Sequence, residues 1–281
     1  MNEWKHRLPG DDEPEQRELN ELLASLIAPI EPAPERGKAL RAEFLAHTAG
    51  SVAADQGLRT VRSRDGTWRD ARPGVRFKPL WAGPHGRSVL IELMAGASLP
   101  SHRHRWVEEG IVLSGELSMG DLRLGPGDYH VSPVGSRHQP IVSRTGALAY
   151  LRGTSLGDVR SSVRELLGGL LPYQGAASQS VFAADPSRWV DIAPGVMRAD
   201  LWSDRSMISR FYRLEPGAEL PAHDHNGDEE CMMIDGEVFL GDILLCRGDY
   251  HIASAGSRHG RVSSDVGALL FVRCPRADAP P

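Results

Sequence analysis

A chain of 281 residues, 41% hydrophobic and 25% charged, carries enough apolar material for two ordinary domains and is not the composition of a disordered or fibrous protein. A formal net charge of −5 gives no electrostatic footprint for nucleic acid or an anionic membrane, so neither partner is expected. No apolar run reaches signal-peptide or membrane-spanning length, which makes the cytoplasm the expected compartment. Cys231, Cys246 and Cys274 form no C-x-x-C pair and therefore neither a disulfide framework nor a zinc knuckle.

In chain order, residues 1–66 read as a helical amino-terminal arm. Leu19, Leu22, Leu23, Leu26, Ile27 and Ile30 recur with helical spacing on one face, with acidic residues ahead of them where a helix amino end favours negative charge. Pro29, Pro32 and Pro34 end that helix, and a second, weaker helical pattern follows over 35–48 around Leu40 and Phe44.

From Trp68 the pattern changes to short strands punctuated by glycine and proline, which predicts an all-β protein. Residues 68–152 align without a gap onto 189–273 at a constant offset of 121, and about two fifths of the positions are identical. The chain is a tandem duplication: one domain over 67–153, a linker over 154–187 with a short helix in SSVRELLGGLL, and a second domain over 188–275.

Both copies carry the same polar cluster, SHRHRWVEE and AHDHNGDEE. Alternate strand residues share a face, so His102 with His104, and His223 with His225, present paired imidazoles to one side. Glu108 and Glu229, four residues on, have the same parity; Glu109 and Glu230 have the opposite one and are expected to be surface or supporting groups. His138 and His259, each after a glycine-containing turn, supply a fourth candidate ligand. Three imidazoles and a carboxylate suit a divalent metal, zinc or iron(II) with manganese or nickel as further fits, at up to one ion per copy. Arg137 and Arg258 face the surface by parity, and the same caution covers Tyr129, His130, Tyr250 and His251. Trp68, Trp81, Trp189 and Trp202 read as core aromatics and Cys231 as interior filling.

The residues Gly96, His102, His104, Glu108 and Gly115, repeated as Gly217, His223, His225, Glu229 and Gly236, match the first motif of the cupin superfamily, which the chain therefore resembles. Gly127, Pro133, Gly135 and His138 match most of the second motif, with Val142 and Ser263 where that motif has asparagine and Ser254 in place of its proline in the second copy. More narrowly, GASLPSHRHR and GDYHVSPVGSRH resemble ChrR-like cupin domains of the anti-sigma-factor type. The resemblance implies two tandem double-stranded β-helix (jelly-roll) barrels, a metal inside each, and pairing into a homodimer. It also implies a regulatory or sensory role with a small-molecule ligand or a regulatory protein partner. Relatives of the anti-sigma branch open with a helical zinc domain built on H-x3-C-x2-C; here no cysteine precedes Cys231, and residues 16–49 resemble only the tail of such a domain. A second expectation comes from cupins that cleave carbon–carbon bonds: an iron(II)-dependent dioxygenase acting on a small diketone or aromatic ketone.

Overall fold

The computed structural model describes residues 33–137, 139–168, 178–182 and 185–278. The helix expected around Leu19–Ile30 lies outside the described residues. The second expected helix is present as Pro34–Ala54, with proline at the first helical position, where its missing N–H costs nothing. On this helix Leu40, Phe44 and Leu45 are exposed. No helix among the described residues is long and apolar enough to cross a membrane.

Most of the remaining described chain is β-structure, and the duplication is visible in it strand for strand. In the first copy a seven-stranded antiparallel sheet runs in the order 179–181, 129–132, 108–115, 147–154, 86–93, 75–83, 69–72. In the second copy the order is 58–61, 250–253, 229–240, 268–275, 207–214, 196–203, 189–193. A smaller sheet of short strands faces each of these, Ser98–Leu99, Ile141–Val142, Leu117–Met119 and Leu122–Leu124 in the first copy. Each copy is thus a jelly-roll sandwich of two facing sheets that stays open rather than closing into a full barrel. The motif glycines Gly115 and Gly236 sit where the large sheet turns toward the small one. Their φ values are +76° and +73°, and a Cβ at either would lie 2.0 Å from a carbonyl oxygen of the opposing turn, so no other residue fits without moving the backbone.

The edge strand of each large sheet comes from the segment preceding the other copy. Leu58–Val61, which falls inside the 1–66 arm, is a strand and pairs with Tyr250–Ala253 of the second copy. Gln179–Val181, inside the expected linker, pairs with Tyr129–Ser132 of the first copy. Strand pairing is long-range and leaves little local signal when a strand is only three or four residues long, which is why these segments read as arm and linker. The linker helix itself is present as Val159–Gly168.

Three apolar clusters form. Two fill the sandwich interiors: Val75, Ile91, Leu93, Val112 and Leu124 are among the residues of the first, and Val196, Leu214, Met233, Val238 and Leu245 among those of the second. Cys231 belongs to the second interior, as filling. The third cluster lies between the copies and joins Leu80, Ile111, Tyr129 and Tyr150 of the first to Phe211, Met232, Tyr250 and Phe271 of the second. Trp68, Trp81, Trp189 and Trp202 pack against it.

Glu109 and Glu230 are in this inter-copy layer, not on the surface, with exposures of 1% and 6%. Wrong parity for the sandwich interior is the right parity for the face where the copies meet. Each makes an ion pair with an arginine of the other copy: Arg152 Nε to Glu230 Oε1 at 3.0 Å and Arg273 Nε to Glu109 Oε2 at 2.8 Å. Glu230 also accepts hydrogen bonds from Ser88, Tyr150 and Tyr250. Glu109 accepts one from Tyr129 at 2.7 Å, but its arginine contact lacks hydrogen-bond geometry, and the positions matching Ser88 and Tyr150 are Ser209, which finds no partner among the described residues, and Phe271. Burial acts to raise the Glu230 pKa, but Arg152 and the donated hydrogen bonds outweigh it and hold it below the ordinary value.

A folded-state pKa below the unfolded one contributes stability that is present above the unfolded value, about 4.3, and is lost as pH falls through the folded one. Removing one partner of a buried pair costs roughly 3–5 kcal/mol. Arg152→Met should therefore destabilise the protein by about that amount at pH 7 in denaturant unfolding, and the difference from wild type should shrink as the medium is acidified toward pH 4. An equal difference at both pH values would mean that packing by Arg152, not its charge, is what the fold uses.

Candidate metal centres

The second copy assembles its four candidate residues from three places in the chain. His223 lies in a two-residue strand paired with Arg258–His259, so that His223 and His259 stand opposite each other. His225 follows in the turn, with its backbone N–H donating to the Ser257 carbonyl. Glu229 opens the long strand Glu229–Leu240. The chain is not one continuing strand from His223 to Glu229; it turns between them, and the carboxylate reaches the same interior from the start of a new strand.

Glu229 is the common neighbour. Its Oε1 lies 3.6 Å from His259 Nδ1 and 3.9 Å from His223 Nε2, and its Oε2 lies 3.9 Å from His225 Nδ1. One donor atom from each of the four residues falls within 4.8 Å of the others. Metal bonds of about 2.1 Å place tetrahedral neighbours roughly 3.4 Å apart, so the cluster is slightly expanded around a space of cation size.

The electrostatics fit the same reading. Both ring nitrogens of His225 and Nδ1 of His259 are buried with no hydrogen-bond partner among the described residues. Buried polar atoms are rarely left so, and a cation would satisfy them. Burial, followed by the neighbouring imidazoles, pushes His259 down to about 2, and burial lowers His225 as well, so both rings are neutral and keep a lone pair. Hydrogen bonding to Glu229 instead raises His223.

In the first copy, His102, His104 and Glu108 come together in the same way. His104 Nδ1 is 3.6 Å from Glu108 Oε1, and burial with the adjacent His102 pushes His104 down to about 3. His138, the fourth candidate here, lies outside the described residues. Arg258 is on the surface and paired with Asp224 at 2.7 Å, and exposed Arg137 donates to Ser101.

The loops after the paired histidines are tied down differently. In the first copy the linker helix covers the loop: the Arg105 N–H donates to Glu165 Oε1, the Arg105 guanidinium to Ser161, and Ser155 Oγ to Glu165. In the second copy Asp278 accepts from Asn226 and Gly227, and a Cβ at Gly227 would lie 2.5 Å from Pro275. Trp106 fills the position of Gly227, so the carboxy-terminal turn can lie against the second loop only because that loop has no side chain there. Beside the first site, between linker helix and sheet, is a cavity of about 640 Å³. His102 and Glu108 line it together with Leu99, Ile141, Leu151 and Leu166.

Recurrence at matched spacing carried a signal about residues the parity argument set aside. His251 is fully buried behind His259, with their Nε2 atoms 3.1 Å apart. Its counterpart His130 is also largely enclosed, and burial lowers the pKa of both, His251 to about 4. Tyr129 and Tyr250 are buried in the inter-copy cluster.

Comparison with known proteins agrees with the duplication. The family described as "ChrR Cupin-like domain" matches residues 56–156 and again 177–276, each match including the exchanged edge strand. The anti-sigma-E factor ChrR of Cereibacter sphaeroides is 31% identical over 83 residues, covering 30% of this chain and 39% of that protein's own length. Among solved structures, a putative dioxygenase from Nostoc punctiforme superposes with a TM-score of 0.58 at 16% identity, over 77% of this chain and 81% of that one. Oxalate decarboxylase of Bacillus subtilis, in a structure concerned with its Mn(II) centres, gives 0.53 at 18% identity over 79% and 78%. At such identities the structural likeness speaks for the fold alone. The two family matches together take in well over half of the sequence, and the chain belongs to the ChrR cupin-like family, of which it carries two tandem domains.

Proposed function

We propose that the protein is a metal-binding bicupin with a regulatory or sensory role, in which His102, His104, Glu108 and His138 hold one divalent ion and His223, His225, Glu229 and His259 another. The observation that carries this reading is the second cluster: buried, unpartnered nitrogens of His225 and His259 around Glu229. Such a set suits zinc, iron(II) or manganese. A bound ion supplies a Lewis-acid position at which an oxygen donor can be held. The likeness to ChrR supports the regulatory reading.

The chain's own residues say what could reach the first site. The cavity wall of Leu99, Ile141, Leu151 and Leu166 favours an apolar body, and His102 and Glu108 mark the polar end. Arg69 and Arg72, on an exposed strand at the same cavity, are balanced there by Asp70 and Glu165. The fitting ligand is a small, mainly apolar molecule with one oxygen-donor end. The same cavity favours a second reading, an iron(II)-dependent dioxygenase acting on a small diketone or aromatic ketone.

Elemental analysis of protein purified without added metal should find zinc, iron or manganese, and His104→Ala and His225→Ala should each remove about one equivalent per chain. Protein free of divalent metal, with metal uptake unchanged in both variants, would contradict the metal-site assignment. To separate the two roles, oxygen uptake by iron-loaded protein is measured across a panel of diketones and aromatic ketones. Turnover favours the enzyme; a ligand-dependent rise in thermal stability without oxygen consumption favours the sensor.

A further inference from the structure

The second metal-site candidate is backed by a chain of polar contacts that begins in a segment of the protein far away in sequence. Thr60, on the strand preceding the first copy, is paired in register with His251 of the second. Its Oγ1 lies 2.9 Å from His251 Nδ1; His251 Nε2 lies 3.1 Å from His259 Nε2; and His259 Nδ1 faces Glu229 Oε1 at 3.6 Å. The outer part of this arrangement recurs in the first copy. Ser180, on the strand preceding the second copy, is in register with His130, and its Oγ lies 2.8 Å from His130 Nδ1. The two hydroxyls hold equivalent places: each stands in register opposite the matching histidine, directly before a valine (Val61, Val181) paired with the matching tyrosine (Tyr250, Tyr129), on strands that lie outside the gapless 68–152 and 189–273 alignment and one residue out of its offset. The hydroxyl-to-histidine contact is thus kept in both copies, as threonine in one and serine in the other.

Only one proton arrangement makes the second site competent to bind a cation. His259 Nδ1 must present a lone pair, so its proton sits on Nε2. That N–H then donates to His251 Nε2, which must be the acceptor, so the His251 proton sits on Nδ1 and needs an acceptor in turn. Thr60 Oγ1 is that acceptor. The opposite arrangement, with Thr60 donating, protonates His259 at Nδ1 and removes the lone pair. Hydrogen bonds to the nitrogen opposite the metal fix both tautomer and ring orientation, and their loss typically weakens metal binding by 10–100-fold.

We propose that Thr60 is a positioning residue for the second copy's metal site: through His251 it sets the tautomer and orientation of His259, so that the strand leading into one copy completes the site of the other. The proposal rests on the reading of His259 and Glu229 as ligands.

The test is zinc affinity by chelator competition in the full chain carrying His104→Ala, which takes the first site out of the titration. Thr60→Val, which keeps the shape and removes the hydroxyl, should weaken zinc binding by roughly 10–100-fold and shift the visible absorption of the cobalt(II) form. Thr60→Ser, which restores only the hydroxyl, should return both to near the parent values. An unchanged affinity in Thr60→Val, or a Thr60→Ser variant as weak as Thr60→Val, overturns the proposal, the latter because the methyl packing would then be what matters. If the parent takes up no metal at the second copy, the ligand assignment fails first and the proposal with it. Should Thr60→Val not fold, long-range proton–nitrogen spectra of the histidine rings in metal-free wild type decide the matter: His251 protonated at Nδ1 and His259 at Nε2 support it, and the reverse tautomers overturn it.

Discussion

Two adjacent glutamates on one strand, written twice, hold the organisation of this protein. Side chains of successive strand residues leave the sheet on opposite faces, so Glu108 and Glu229 enter the sandwich interiors while Glu109 and Glu230 enter the layer between the copies. All four are buried, and a buried carboxylate is tolerable only with compensating charge or hydrogen bonds. Inside, Glu229 lies among His223, His225 and His259, and Glu108 beside His102 and His104, around a space of cation size. Between the copies it is an arginine from the other copy, flanked by tyrosines. Buried ion pairs of this sort contribute less to net stability than to defining which surfaces meet, because each charge rejects any partner that lacks the opposite one. The apolar cluster of Tyr129, Tyr150, Phe211, Tyr250 and Phe271 supplies the bulk of the burial around them.

Duplication gives this layer its near-symmetry, and divergence has broken it at specific places. Glu230 has an arginine and three hydroxyl donors; Glu109 has an arginine and one, because Phe271 replaces the equivalent of Tyr150 and Ser209 finds no partner among the described residues. The copies also differ at the mouths of their sites, where Glu165 and Ser161 of the linker helix hold one loop and Asp278 holds the other. Copies with nearly the same interior polar set therefore present different surroundings to whatever approaches, and a sizeable cavity adjoins the first.

Much of this was legible in the sequence because it is local or repeated. The constant offset exposed the duplication, and the even spacing of His102, His104 and Glu108 singled out residues that the structure brings together, although the chain turns between them instead of running on as one strand. What was not legible is long-range. Nothing in LRTV or QSV announces that each strand belongs to the other copy's sheet, because three or four residues carry too little periodicity to fix a partner. Parity leaves Glu109 and Glu230 as surface or supporting groups, because it excludes a residue from one face without saying what covers the other. The same parity sets His251 aside, although its recurrence in GDYH carries information; it lies behind His259 and faces that ring's far nitrogen. His138 and the first helix of the arm fall outside the described residues.

Neighbouring residues on one strand divide the work: Glu229 serves the proposed metal site and Glu230 the union of the copies. Denaturant unfolding of Glu229→Gln and Glu230→Gln, each with and without zinc, tests it most directly. In chains that also carry His104→Ala, which removes the first site's share, Glu229→Gln should keep the stability of the metal-free protein but lose most of the zinc-dependent increment, about 2.7 kcal/mol at a hundredfold excess over the dissociation constant. Glu230→Gln should lose stability in both conditions and keep that increment. If both substitutions lowered metal-free stability and the zinc increment alike, the two faces of the strand would not be separate in function, and the division argued from their geometry would be contradicted.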